Sequence, residues 1–207
     1  ETGVDLPDLL EWSKFSGAAW LPDGSGFFYG RYDAPAAGEA YESANYFQKL
    51  YFHRLGTPQE EDSLIYHRPD HKDWGFGAVV SEDGRYLVLE VWLGTDRRNL
   101  LFYRDLSSED GPMVELIADL EAGYHFLGND GSTFYLSTDL DAPRGRVLAV
   151  DTADPARARW RTLIAESGDT LQLVKMVHNE FVALCLHDAH HRLERFALDG
   201  ASLGEIP

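Results

Sequence analysis

The stretch Ala78–Leu106, AVVSEDGRYLVLEVWLGTDRRNLLFYRDL, reads as three strands joined by two tight turns. Ala78–Ser81 runs into Glu82-Asp83-Gly84, where glycine takes a positive φ without a Cβ clash. Arg85–Leu93 follows, and Gly94-Thr95-Asp96 separates it from a third strand over Asn99–Leu106. Arg85–Leu93 is apolar at nearly every position rather than at every second one. A strand of that kind is covered on both faces. A hairpin alone cannot bury two faces, so similar sheets are expected to stack beside it.

The chain supplies them by repetition. The first-turn glycine recurs at Gly24, Gly84 and Gly131, and Asn179 takes its place in the last repeat, in steps of 60, 47 and 48 residues. The end of the third strand recurs at Arg54, Asp105, Asp151 and Asp199. A fourth short strand follows each, at Ser63–Tyr66, Val114–Ile117, Arg161–Ile164 and Ser202–Ile206. Four strands every ~40–50 residues is the pattern of β-propeller blades. The expectation is therefore an all-β fold: about four blades of four antiparallel strands, spanning roughly residues 12–69, 70–119, 120–168 and 169–207. The first blade is expected to use Lys14–Trp20, Gly26–Tyr32 and Asn45–Leu55, with a loop inserted at 34–44. Leu6–Glu11 reads as a short helical or extended lead-in, and Ala153–Arg159 as one helical turn. No long helix and no low-complexity linker is visible, so no domain boundary is drawn.

Composition narrows the function. The chain has 207 residues, 44% of them hydrophobic and 13% aromatic, enough for one sizeable core or two small ones. No apolar run approaches the ~20 residues that span a bilayer. The first ten residues are acidic, with no basic-then-apolar start, so no signal peptide is read; a chain taken from within a longer protein would also lack one. The net charge of −17 argues against nucleic acid, which is bound through Lys and Arg contacts to phosphate, and against anionic membrane surfaces. Solubility is its plain role. The single cysteine, Cys185, lies in the apolar run Phe181–Leu186 and reads as a small buried hydrophobe. It cannot form an internal disulfide, which favours a reducing compartment. The expected address is cytoplasmic, with the periplasm left open.

No stretch of the chain makes a catalytic machine by itself. Gly200-Ala201-Ser202-Leu203-Gly204 fits the nucleophile-elbow pattern, but it follows a blade turn instead of a strand leading into a helix, and is read as a turn. His67 and His71 are separated by Pro69, which argues against a helical ligand pair. His187, His190 and His191 crowd one turn and read as solvated histidines rather than a metal site. No metal site and no cofactor is expected. Trp20, Trp74 and Trp92 read as packing between blades rather than as ligand platforms.

Four stretches together resemble one family. They are Lys14-Phe15-Ser16-Gly17 with Trp20 and Asp23–Tyr29; Gln48–Thr57 with Glu61-Asp62; Ser81–Leu87; and Thr138–Arg146. In combination and order they resemble the N-terminal propeller of prolyl oligopeptidases, serine peptidases that cut short peptides after proline. The resemblance implies a seven-bladed propeller ahead of an α/β-hydrolase domain that carries the catalytic triad. This chain would hold about four blades and no catalytic residue. Its partners would be its own hydrolase domain and short proline-containing peptides, which the propeller admits while it keeps folded proteins out. The resemblance further implies pocket roles for Phe15, Thr95 and Gly75, where some members have methionine and where Phe76 is next door here. The alternative for Phe15 is packing between blades, and for Gly75 and Thr95 an ordinary turn beside a strand.

Two other functions fit the same residues. One is a non-catalytic propeller scaffold for protein binding; the other is the propeller of an oligopeptidase that prefers basic residues. Four blades of a seven-bladed parent would expose a blade face at each end. The isolated chain is thus expected to pair with a second copy or to tighten into a four-bladed ring.

Overall fold

A computed structural model describes residues 3, 5–36, 38, 44–108 and 110–207. Among them are sixteen strands in four sheets of four, each an up-and-down meander in chain order. The first sheet holds β1 (Ala18–Trp20), β2 (Gly26–Arg31), β3 (Lys49–Arg54) and β4 (Ser63–Tyr66). The second holds β5 (Trp74–Val80), β6 (Tyr86–Leu93), β7 (Asn99–Asp105) and β8 (Val114–Ile117). The third holds β9 (Tyr124–Asp130), β10 (Thr133–Thr138), β11 (Arg146–Asp151) and β12 (Arg161–Ile164). The fourth holds β13 (Thr170–Val177), β14 (Glu180–His187), β15 (His190–Ala197) and β16 (Ser202–Ile206). All four outermost strands fall on the residues expected from the repeat.

The chain divides into two compact units, Glu1–Asp96 with Leu101–Ile117 and Arg97–Leu100 with Ala118–Pro207. In the first unit, Leu87, Val88, Leu89 and Val91 of β6 are all fully buried, as a strand covered on both faces requires. The Gly84 turn packs on Pro22 of the neighbouring sheet, so closely that a Cβ there would meet the proline ring at 2.9 Å. In the second unit, Phe181, Ala183 and Cys185 of β14 pack with Tyr135, Val147, Ala149 and Val174. Cys185 is thus a core residue, and burial pushes its thiol pKa up.

The repeated aspartates close turns. Asp105, Asp151 and Asp199 each accept the backbone N–H two residues on, from Ser107, Ala153 and Ala201. The fourth repeat differs from expectation at its first turn: His178, not Asn179, takes the left-handed conformation, at φ 53°. The expected first strand is also shorter. Only Ala18–Trp20 pairs with β2, because Trp12 and Phe15 have left-handed φ values of 58° and 54° that break an extended strand. The strand expected over Asn45–Leu55 begins at Lys49. Leu6–Glu11 forms neither helix nor strand, and the expected helical turn is a 3₁₀ turn at Arg157–Arg159. The inserted loop at 34–44 lies largely outside the described residues. Among the described residues no helix is long and apolar enough to cross a membrane.

Candidate functional site

In the first unit, the segment before β1 is held by side chains instead of by a strand ladder. Ser16 Oγ accepts the Gly30 N–H at 2.7 Å, and Ser13 Oγ donates to the Gly30 carbonyl at 3.1 Å. Gln48 Nε2 donates to the Lys14 carbonyl at 3.0 Å. These bonds hold Phe15 outward, with 67% of its surface exposed. Its ring meets Trp92 of β6 edge-on, at a centroid distance of 6.3 Å and an interplanar angle of 78°. Trp92 is the cross-strand partner of Gly75 on β5. The Trp92 indole occupies the space above Gly75, where a Cβ would fall 2.0 Å from its Cζ2.

Phe15, Gly75 and Trp92 therefore form one contiguous group. Thr95 stands three residues beyond Trp92, exposed in the turn that Gly94 opens with φ 54°. Phe76 does not join them. Side chains alternate along β5, and its ring is turned into the core, 1% exposed and edge-on to Tyr66 at 5.4 Å. Phe76 thus packs the first unit and does not line the open face. Trp74 stacks on His71 at 3.9 Å beneath the Arg68 guanidinium, which gives it a packing role. Trp92 does more than the packing expected of it, since it separates Gly75 from Phe15.

Gln48 is the residue that sequence reasoning missed. It is 1% exposed, and its two amide ends serve both candidate segments. Its Oε1 accepts the Phe76 N–H at 2.6 Å while its Nε2 reaches the Lys14 carbonyl. An N–H can only donate and a carbonyl can only accept, so these partners fix the orientation of the amide. One buried side chain thereby spaces the backbone next to Phe15 from the backbone next to Gly75. The second unit repeats the device. Asn99 Oδ1 accepts the Tyr124 N–H at 2.6 Å and its Nδ2 donates to the Tyr124 carbonyl at 2.8 Å. The available signal was a carboxamide at the head of the third strand in both repeats.

The remaining candidates hold no catalytic arrangement. Ser202 opens β16 just after the β15–β16 turn, in which Gly200 N–H bonds the Ala197 carbonyl; no helix follows it within the chain. His187 Nδ1 pairs with Asp169 at 2.6 Å, which raises its pKa, and faces His190 across the hairpin. His191 bonds Gln172 instead. Among the described residues no three His, Cys, Asp or Glu side chains gather as metal ligands. In the second unit a polar depression is bordered by Arg97, His125, Thr138, Asp139, Arg144 and Gln172.

Four tandem up-and-down sheets of four strands define a β-propeller-type domain. Residues 1–207 match the family model of the prolyl oligopeptidase N-terminal β-propeller domain, and the chain belongs to that family. It is 35% identical to prolyl oligopeptidase A of Galerina marginata, over 86% of this chain and 25% of that protein. It is 33% identical to the prolyl endopeptidase of Elizabethkingia meningoseptica, over 97% of this chain and 28% of that protein. Among solved structures it is similar to prolyl oligopeptidase B of Galerina marginata bound to a 35mer hydrolysis and macrocyclization substrate. That match has a TM-score of 0.89 at 29% identity, covering 99% of this chain and 29% of the other. The chain thus spans less than a third of the length of these relatives.

Proposed function

We propose that this chain is the substrate-gating propeller of a serine-type oligopeptidase that hydrolyses short peptides after proline. The catalytic serine, histidine and aspartate belong to a hydrolase domain outside residues 1–207. The observation that carries the reading is the Phe15–Trp92–Gly75 group, an exposed aromatic surface held by Gln48 in a domain of this family. Phe15, Gly75 and Thr95 are assigned to the peptide side of the domain, with Phe76 as the support behind them. The propeller contributes steric selection and part of the peptide-facing wall. A cytoplasmic address accords with the one buried, unpaired cysteine.

The test compares the full-length protein with the isolated 207-residue chain on a chromogenic proline peptide. The expected result is cleavage by the full-length protein and none by the isolated chain. The full-length protein should also leave a folded, proline-containing protein intact. Inactivity of the full-length protein on proline peptides would reject the reading. An arginine peptide would then separate a basic-specific oligopeptidase from a protein-binding scaffold. Activity of the isolated chain would place the chemistry at Ser202. The similarity to a protein solved with a macrocyclization substrate supports a second reading, peptide ring closure. Mass analysis of the products, linear against cyclic, distinguishes the two.

A further inference from the structure

The polar depression of the second unit measures about 450 Å³. It lies where β9 and β13 begin and where the β10–β11 connection turns. A Cβ on Gly123 would meet the Arg97 carbonyl at 3.0 Å, so the Arg97 backbone stands hard against the head of β9. The Arg144 carbonyl accepts the Leu171 N–H at 2.7 Å at the head of β13, and the Arg144 N–H bonds Glu166 Oε1 at 2.7 Å. Both arginines are exposed on these fixed backbones. Elsewhere Arg68, Arg85, Arg157, Arg192 and Arg195 each pair with a carboxylate. Among the described residues Arg97 and Arg144 do not, in a chain with 35 acidic residues and 18 basic ones. Arg144 spends Nη1 on a long 3.4 Å contact with the Ser167 carbonyl, which leaves most of its donors free. Gln172 spends its Oε1 on His191 at 2.8 Å, which leaves its amide N–H groups to donate. Among the lining residues Asp139 alone is acidic, and its Oδ1 is taken by the Gly123 N–H at 2.7 Å. A lining of guanidinium and amide donors suits a negatively charged group that only accepts.

We infer that this depression is a carboxylate-binding subsite for the peptide, with Arg97 and Arg144 as its specificity-determining residues. The inference rests on the peptide-binding reading above. Arg97 stands two residues past Thr95 in the turn between β6 and β7, so the turn assigned to the peptide side also supplies one arm of the subsite. A guanidinium offers a carboxylate a planar pair of N–H donors, which an ammonium group does not. Asp139 works against the bound charge, and that repulsion gives the subsite a second, opposite lever. The carboxylate comes from an acidic side chain of the peptide or from its C-terminus.

The experiment uses the full-length protein and internally quenched proline peptides. Glutamate replaces glutamine at each position in turn, and each peptide ends in a free acid or an amide. Glutamate should outrank glutamine at one position, or the acid should outrank the amide, by about fivefold in kcat/KM, the upper end for an exposed ion pair. The first result assigns the carboxylate to a side chain, the second to the C-terminus. The preference should enter through KM and shrink as salt rises. Arg97→Gln and Arg144→Gln should each reduce the ratio, and together should erase it. Arg144→Lys should keep part of it. Asp139→Asn keeps the acceptor for Gly123 and should enlarge the ratio, a gain that no loss of folding produces. Thermal melting of each variant reports whether it folds. If the preference survives the paired arginine substitutions, the inference is overturned. If the unmodified protein cleaves every peptide equally well, the inference alone fails and the proposed function stands. If it cleaves no proline peptide at all, the proposed function itself fails, and this inference with it.

Discussion

His53 Nδ1 lies 2.7 Å from Asp62 Oδ1, and both side chains are wholly buried. On its other side, His53 Nε2 lies 3.0 Å from Asp8 Oδ1. A carboxylate on each side of the ring favours the doubly protonated imidazole, in which both ring nitrogens donate. Asp62 also accepts from the Tyr29 hydroxyl at 2.5 Å, and burial with that carboxylate pushes the tyrosine pKa up to about 12. Gln59 Nε2 bonds both the Tyr29 hydroxyl and the Glu11 carbonyl. This network fastens the lead-in segment to the first sheet. His53→Ala leaves Asp62 buried without its counter-charge, a change that costs about 3–5 kcal/mol. The expected outcome is a lower denaturant midpoint for the full-length protein, with earlier proteolysis near Leu9–Trp12. An unchanged midpoint would show that the network contributes nothing net.

The same network predicts a pH dependence with a definite sign. Burial pulls the His53 pKa down, but Asp62 and Asp8 outweigh it and the net shift is upward. A raised pKa in the folded state means that its stabilising share is full below about 6.5 and is lost as pH climbs through the folded value. Asp8 is shifted downward, first by the Gly56 N–H and then by His53. Its share is full above about 3.9 and is lost as pH falls. The clasp is therefore tightest between those limits and loosens first on the alkaline side. Hydrogen exchange of the Asp8–Trp12 amides, corrected for intrinsic rates, should show protection falling as His53 loses its proton. His53→Gln should abolish that step. Protection that stays flat through neutral and mildly alkaline pH would reject the assignment.

Gln48 offers a separate test, because it acts through backbone spacing and not through charge. Gln48→Leu leaves the Phe76 N–H and the Lys14 carbonyl without their partners, each costing about 1–3 kcal/mol where no water replaces it. Gln48→Glu keeps an acceptor for Phe76 but loses the donor to Lys14, and adds a buried charge. Both variants should destabilise the first unit, and Gln48→Leu should also raise KM for proline peptides by freeing Phe15. Rescue is expected from neither. A Gln48→Leu protein with normal melting and normal KM would show that Ser13 and Ser16 alone position Phe15.

These relationships mark where the sequence was legible and where it was not. The outermost strands could be read because each is a short β-prone run between turn residues, and the repeat places the next one. The lead-in could not, since nothing in Trp12 or Phe15 announces a left-handed backbone in the way glycine does. Gly75 opposite Trp92 was half-legible: a strand glycine often marks close approach of another group, but the approaching group follows only from hairpin register. Phe76 illustrates the converse, because alternation along β5 turns it away from its neighbour's face. His53 and Asp62 stood within one quoted motif, nine residues apart, but their pairing was not legible, because no spacing rule joins them and the third member, Asp8, comes from 45 residues away. Gln48 stood within a family motif, yet its role needed the positions of two backbone groups that only the packed sheets define.

The last prediction concerns the isolated 207-residue chain. Among the described residues β16 of the fourth sheet pairs with β15 alone, and every one of its residues is exposed. Leu203 and Ile206 are exposed on it, as are Leu193 on β15 and Leu173 and Val177 on β13. A sheet edge with unpaired backbone groups and apolar side chains is a template for another chain unless charge or proline blunts it. We therefore expect the isolated chain to self-associate, with a sedimentation mass that rises with concentration. Placing lysine on the edge, as Leu203→Lys with Ile206→Lys, should shift it toward the monomer, because an edge lysine must stay solvated. In the full-length protein the paired substitutions should lower stability if further chain covers this sheet there, because both lysines would then lose solvent. A monomer mass at every concentration for the unsubstituted chain would show that the exposed edge is not sticky, and would remove the reason for expecting a covering neighbour.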